Sequence, residues 1–559
     1  MGTLSEVRMK RVIYPVILTC ITAIVISVVV LSSVPPVSRD ALTHHLVVPK
    51  LYLEHGGIYE IPSIKFSYYP MNIDLLYMVP LLWGNDIVPK YIHFLFALFT
   101  ALLMYYYLKK RIGRLYGSLG ALFFLSIPII VRLSITVYVD LGLIFFSFAS
   151  LIYMLEWGNQ KFQFKFLFFS SLCCGLALGT KYNALILFAL ISLLIPVVYS
   201  RSAPASSAKV YTATKYSMFF ILIALFFFSP WMIRNYLWKK NPVYPLYHQF
   251  FSSDKVEKKE EHGDGSGKIQ SKKQIGSFAI RRIIYQEAWW QTASIPVRIF
   301  FQGEDNNPKF FDGKLNPFLL MLPVFAFWGY KDARCPTMAL EKKIMLGFSA
   351  LFLVFAFFAQ DIRIRYISPI IPPLVVLSMY GLHNLIERAG EKRSLFQKSF
   401  YYIIAGSIIC WMFWINLGYI IEQFRHVAPM AYLTGQVDRD QYIENYRPEY
   451  AVIKYANRNL ASDAKILSVF LGNRYYYSDH QMIFSFSVFA ETVKKSKSPE
   501  EILSALKQNG ITHIMIGYDL FNDWANRNFS KQEKIHINFF FKQQVELLFS
   551  KNGYGLYRL

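Results

Sequence analysis

Seven ionisable residues stand at the ends of apolar runs: Asp40, Asp140, Lys181, Arg234, Asp361, Arg363 and Arg365. Two carboxylates near several cations suit a reaction in which a phosphate leaves. The cations hold the phosphate and stabilise the charge that develops on it, while a carboxylate accepts a proton from an incoming hydroxyl. Asp40 follows Arg39 directly after the first apolar run, and His44 lies one turn further on the same helical face. A helix amino terminus lowers a carboxylate's pKa and weakens it as a base. Pairing of Asp40 with Asp140 would raise it again and restore a usable base. Plainer roles stay open: each Asp stands where a helix cap is expected, Lys181 could snorkel from a tight turn, and His44 and His45 read as polar surface.

The elements that must position these residues are membrane helices. The chain has 559 residues, 54% hydrophobic and 17% aromatic, too apolar for an ordinary soluble protein. It reads as a polytopic α-helical membrane protein whose first partner is the lipid bilayer. The net charge of +23 does not indicate nucleic acid. The lysines and arginines fall in short clusters between apolar runs, the pattern that orients membrane helices. The five cysteines, Cys20, Cys173, Cys174, Cys335 and Cys410, lie in or beside apolar runs, and no disulfide framework is expected.

Apolar stretches long enough to span occur near 12–33, 90–108, 115–132, 138–156, 163–180, 182–199, 216–236, 315–330, 344–360, 366–385 and 399–421, about eleven in all. With a cytoplasmic amino terminus, the basic loops 109–114, 161–165, 200–215, 331–343 and 386–398 all face the cytoplasm. The segment 71–84, short and interrupted by Pro80, is then re-entrant or interfacial. Residues 41–55 place Leu42, Leu46 and Leu53 on one face, as in a helix lying in the interface plane. These readings make residues 1–422 a transmembrane domain with outer loops 34–89 and 237–314. The stretch 255–273 reads as a mobile loop, and Ala288-Trp289-Trp290 as an aromatic interfacial anchor. Residues 423–559 turn soluble, with strands expected around 466–470, 512–517 and 554–558 and a helix around 498–508. That is a small α/β domain outside the cytoplasm, suited to packing or acceptor recognition.

The pieces Arg39-Asp40, Tyr138-Val139-Asp140-Leu141, the run 175–182 ending in Gly179-Thr180-Lys181-Tyr182, Pro230-Trp231-Met232-Ile233-Arg234-Asn235 leading into Asn241-Pro242-Val243-Tyr244-Pro245, and Arg365-Tyr366-Ile367-Ser368-Pro369 occur in an order that resembles the GT-C membrane glycosyltransferases. The group resembled includes the protein O-mannosyltransferases and the lipid A aminoarabinose transferase. The resemblance covers roughly the whole membrane part. It implies a GT-C-like fold and inverting transfer of a sugar from a polyprenyl-phosphate carrier to a hydroxyl on a glycan, lipid or protein acceptor, at the non-cytoplasmic face of a cell membrane, in a bacterium the inner one. It further implies Asp40 as catalytic base, Asp140 as support for the same centre, and Arg39, Lys181, Arg234, Arg363, Arg365 and Tyr366 as substrate-binding residues.

The chain departs from the family pattern in two places. Arg39-Asp40 stands where family members often show Asp-Glu, and Tyr68-Tyr69-Pro70-Met71-Asn72 stands where the aminoarabinose transferases carry Glu-Lys. For a divalent metal, seen in some relatives, His44 and His248 are the candidate ligands. Competing readings are a lipid-linked glycan polymerase or ligase, a flippase, and a non-enzymatic assembly subunit. A flippase would show paired halves with polar groups at mid-membrane, whereas here they gather at one face and no repeat is visible.

Overall fold

The structure, a computed structural model, describes residues 4–203, 209–251, 277–328, 336–359, 361–391 and 394–559. The expected mobile loop 255–273 and Cys335 lie outside the described residues. In lipid every backbone polar group must be satisfied within its own segment, so the apolar runs become helices. Among the described residues seven are long and apolar enough to cross a membrane: Ile13–Ser32, Val88–Ile112, Asp140–Asn159, Ala184–Ser202, Lys209–Lys239, Ile364–Arg388 and Phe396–Val427. The pair Arg114–Ser126 and Pro128–Ser134, bent by 64°, makes an eighth if it is one span. The bend falls where Pro128 starts a new helix and disfavours helical backbone at Ile127 before it.

Of the other expected spans, Phe164–Leu178 is a helix of 15 residues, Phe318–Ala326 one of nine, and Pro336–Ala359 one of 24 with Glu341, Lys342 and Lys343 near its start. The segment 71–84 is, as expected, a short helix, Asn72–Leu81. Trp289 and Trp290 are exposed, as an interfacial anchor requires.

Residues 41–55 do not form one helix on a membrane surface. They make a five-residue π-type turn, Ala41–His45, and then the helix Val47–His55. Their inner face is buried in protein, and the carboxyl-terminal domain sits over them. Tyr475 and Tyr476 amides both donate to the Leu42 carbonyl, at 2.9 and 3.2 Å. Lys50 Nζ reaches the carbonyls of Tyr476 and Ser478. Arg447 Nε donates to Val37 O at 2.6 Å, and the Tyr477 hydroxyl to Pro36 O at 2.8 Å. Residues 36–50 and the carboxyl-terminal domain therefore lie at the same end of the helices.

That domain is α/β, with β1 (Lys465–Val469), β2 (Gln481–Phe484), β3 (His513–Gly517), β4 (Glu546–Lys551) and β5 (Tyr554–Arg558). The sheet order is β2-β1-β3-β5-β4; β1 runs parallel to β2 and β3, and β5 antiparallel to β3 and β4. The short β2 and the largely exposed edge strand β4 are additional to the three strands expected from the sequence.

At the opposite end of the helices, Arg111 of the basic loop pairs with Glu341 at 2.6 Å and with Glu156 at 3.0 Å. Glu341 also accepts from Tyr107 Oη and Asn159 Nδ2.

Candidate active site

The Arg39-Asp40 loop, the start of the Asp140–Asn159 helix, the Gly179-Thr180-Lys181 turn and the segment 363–366 converge beneath the carboxyl-terminal domain. Two short ion pairs form the centre. Arg365 Nη1 donates to Asp40 Oδ2, and Lys181 Nζ to Asp140 Oδ1 at 2.7 Å. Neither aspartate is a cap. Asp40 makes no side-chain bond to the turn that follows it, and Asp140 is the first helical residue, with its carboxylate turned to Lys181. Instead, the Leu141 amide is capped by His93 Nε2 at 2.9 Å, while His93 Nδ1 faces the carbonyls of Leu133 and Thr136, both at 3.0 Å. Two acceptors at Nδ1 require the proton there, which fixes the ring and leaves Asp140 free for its cation.

Two glycines set the Lys181 turn. A Cβ on Gly175 would stand 2.6 Å from the Ala224 carbonyl oxygen, and one on Gly179 would stand 2.2 Å from Asn72 Nδ2. The first lets the helices Phe164–Leu178 and Lys209–Lys239 approach backbone to backbone, the small-residue packing used between membrane helices. The second docks the turn on Asn72, whose amide donates to Gly179 O at 2.8 Å and whose Oδ1 accepts from Trp231 Nε1 at 2.7 Å. Lys181 is thus held to Asp140 from both sides.

Tyr366 is the platform for the cations. Its ring lies 5.4 Å from Lys181 Nζ and 5.2 and 5.9 Å from the guanidinium carbons of Arg365 and Arg363. Arg365 lies also 5.3 Å from the Tyr138 ring. Arg363 leans the other way, toward Asp312 at 3.4 Å, in a cluster with Arg132 and Asp305. Arg234 lies between the Trp231 and Trp238 rings and donates to the carbonyl of Tyr69 and the amide oxygen of Asn235. Arg39 is exposed beside Arg447. Asp361 takes a hydrogen bond from Tyr285 and lies 3.5 Å from Arg281, away from the two central pairs.

The expected coupling of Asp40 with Asp140 is not what governs Asp40. Burial would raise its pKa, but the Arg365 guanidinium, helped by its hydrogen bond and by the two histidines, holds it well below the carboxylate range. Each carboxylate has its own cation, so Asp40 stays ionised and is a weak base. About a fifth of its side chain is accessible (22%), against none of Asp140 (0%). Asp140 Oδ2 and Arg365 Nε are sealed and have no hydrogen-bond partner among the described residues.

His44 and His45 are not surface residues; both are buried. His44 stacks on Phe66 at 4.4 Å with Nδ1 against Thr43 Oγ1, and burial together with His45 holds its pKa well below the usual value. His45 Nδ1 meets Asp74 Oδ1 at 2.6 Å. The sequence reading missed Asp74 by taking its short helix for an interfacial one. A carboxylate inside an apolar ten-residue helix was the available signal. His248 packs edge-on against Tyr244, at 5.2 Å. Among the described residues no three His, Cys, Asp or Glu side chains gather as a metal site. With Asp40 given to Arg365 and Asp74 to His45, the residues here do not fit a resident divalent ion.

Residues 84–240 match the model of the family described as dolichyl-phosphate-mannose-protein mannosyltransferase. That window holds Asp140, Lys181 and Arg234 but neither Asp40 nor Arg365. Among solved structures, the chain is similar to ArnT from Cupriavidus metallidurans in the apo state, with TM-score 0.54 and 15% identity over 97% of both chains. The form of ArnT bound to undecaprenyl phosphate gives TM-score 0.55, again at 15% identity over 97% of both chains. The Archaeoglobus fulgidus oligosaccharyltransferase in the apo form gives 0.51 at 10% identity, over 90% of this chain and 70% of that one. No curated protein matches the chain by sequence. The chain has the GT-C fold of a multi-span membrane protein, with an α/β domain at its carboxyl end.

Proposed function

We propose that this protein is an inverting membrane glycosyltransferase that moves a sugar from a polyprenyl-phosphate carrier to a hydroxyl of a glycan, lipid or protein acceptor at the non-cytoplasmic membrane face. The observation that carries the reading is the buried double ion pair Asp40–Arg365 and Asp140–Lys181, beside a loop held down by the carboxyl-terminal domain. Support comes from the family match over residues 84–240 and from the fold shared with an ArnT bound to undecaprenyl phosphate.

The chemistry follows from where charge develops. As the bond between the sugar's anomeric carbon and the phosphate oxygen breaks, negative charge collects on the phosphate. Lys181 and Arg365, fixed over Tyr366, stabilise it in a site with little water, and Arg234 from its tryptophan cradle adds to the field. Asp40, the accessible carboxylate of the two, aligns the acceptor hydroxyl on the opposite side of the sugar. Asp140, sealed, acts as a positioning residue through Lys181. No step uses a metal.

The test is transfer by the purified full chain in lipid nanodiscs. It uses labelled polyprenyl-phosphate mannose, glucose, galactose or aminoarabinose, and envelope extract from cells lacking the protein as acceptor. Transfer from at least one donor, lost in Asp40→Asn, is expected. No transfer from any of them contradicts the reading.

A further inference from the structure

Asp40 leaves a gap in the chemistry. An attacking hydroxyl must lose a proton, and a carboxylate clamped by a guanidinium is a poor place to put it. Beside it sits a group suited to the task. His45 belongs to the same π-type turn, one residue beyond His44, and its Nδ1 is 2.6 Å from Asp74, whose side chain is 3% accessible. A carboxylate at Nδ1 requires the proton on that nitrogen and directs the lone pair to Nε2. Among the described residues Nε2 has no hydrogen-bond partner, yet it is not among the sealed polar atoms.

The surroundings keep this ring in place. Its centroid lies 4.0 Å from that of His44 and 5.7 Å from the Tyr138 ring, whose face also carries Arg365. Tyr77, one turn after Asp74 on the same short helix, donates its hydroxyl to the Tyr138 carbonyl and so ties that helix to the approach of Asp140. The charged and titratable groups facing His45 are Asp74 from the short helix, Asp40 and His44 from its own turn, His93 from the Val88–Ile112 helix, and Tyr138. The arrangement has the parts of a general base: an imidazole with one nitrogen neither bonded nor sealed among the described residues and the other oriented by a buried carboxylate.

We propose that His45 is the proton acceptor of the transfer reaction, with Asp74 as the positioning residue that fixes its tautomer. This rests on the glycosyl-transfer reading above. In the step, the acceptor oxygen forms its bond to the anomeric carbon as the carbon–phosphate oxygen bond breaks. The hydroxyl proton passes to His45 Nε2, and the polyprenyl phosphate leaves with the bonding electron pair. The imidazolium, stabilised by Asp74, then returns its proton to water. Asp40 and Arg365 orient hydroxyl and phosphate without changing protonation.

The decisive variant is His45→Gln, a polar side chain of similar size that cannot take a proton. In the nanodisc assay, turnover is expected to fall about 10²- to 10⁴-fold, with the donor KM and the melting temperature close to wild type. The acid limb of the wild-type pH profile is expected to disappear in the residual activity. Asp74→Asn is expected to lower kcat in the same direction, again without a matching change in KM. Should His45→Gln melt early, His45→Ala with added imidazole decides: restored turnover supports the proposal, and its absence overturns it. Near-wild-type turnover or an unchanged pH profile in a stably folded His45→Gln overturns it while leaving glycosyl transfer intact. A wild-type protein that transfers nothing overturns both.

Discussion

Two clusters of buried charge, at opposite ends of the same helices, are built from similar residues and behave differently. At the basic-loop end, Glu341 accepts from Arg111, Tyr107 and Asn159, and Glu156 accepts from Lys110 and Arg111. Among the described residues none of these side chains has a sealed polar atom without a partner. At the other end, Asp140 Oδ2 and Arg365 Nε are sealed without partners among the described residues, and His45 Nε2 is open. Buried polar groups are normally satisfied, and departures gather where a site awaits a ligand. The first cluster has the character of a joint between helices. The second has that of a binding site.

If that contrast is sound, substitutions at the two ends must damage different things. The largest effect is expected from Asp40→Asn. Transfer should fall about 10³-fold, within the range for removing a group that positions the reacting oxygen, a loss larger than the lower melting of a protein whose Arg365 has lost its counter-charge explains. Glu341→Gln should do the reverse. It leaves Arg111 without its main buried counter-charge and should lower stability by about 3 to 5 kcal/mol, measured by thermal unfolding, while the protein that stays folded transfers normally.

Gly179→Ala sharpens the comparison from within the site. Its Cβ would press on Asn72, shift the Lys181 turn and slow transfer by about 10- to 100-fold, because small misplacements of a catalytic group are costly. Arg39→Ala, at an exposed position, should change turnover by less than about threefold and unfolding by less than about 0.5 kcal/mol. A loss there as large as at Asp40 would extend the site outward.

The pH dependence has a sign. Asp40's pKa is depressed on folding, so its contribution to stability is in place above the unfolded carboxylate value of about 3.9. It is lost only as pH falls through the lower folded value. The stability difference between wild type and Asp40→Asn should therefore be flat from about pH 5 to 8. A difference that changes across that range would mean that Arg365 does not hold the carboxylate as described.

The membrane character, the soluble carboxyl-terminal domain and the gathering of Asp40, Asp140, Lys181 and Arg365 were legible in the sequence. Each leaves a local mark: a long apolar run, a shift in composition, a charge at a span end. The glycines at 175 and 179 were also visible, but their purpose is a contact with Ala224 and Asn72, far off in the chain. What could not be read is pairing. Nothing local says that Arg365 belongs to Asp40 and Arg363 to Asp312, although the two arginines are two residues apart. His44 and His45 are buried against partners outside their own segment, Phe66 for the first and Asp74 and Tyr138 for the second, and their turn is pinned at Leu42 by Tyr475 and Tyr476, more than 400 residues later. The close contact of Phe318–Ala326 with the Ile371–Glu391 helix, where Gly381 lets the backbones meet, is likewise invisible locally.

The most direct measurement is sugar transfer by purified wild type and Asp40→Asn side by side, from labelled polyprenyl-phosphate sugars to envelope extract, with unfolding followed on the same samples. The account predicts transfer by the wild type and its loss, about 10³-fold, in a variant that is still folded at the assay temperature. Equal transfer by the two proteins, or none by the wild type, would contradict it.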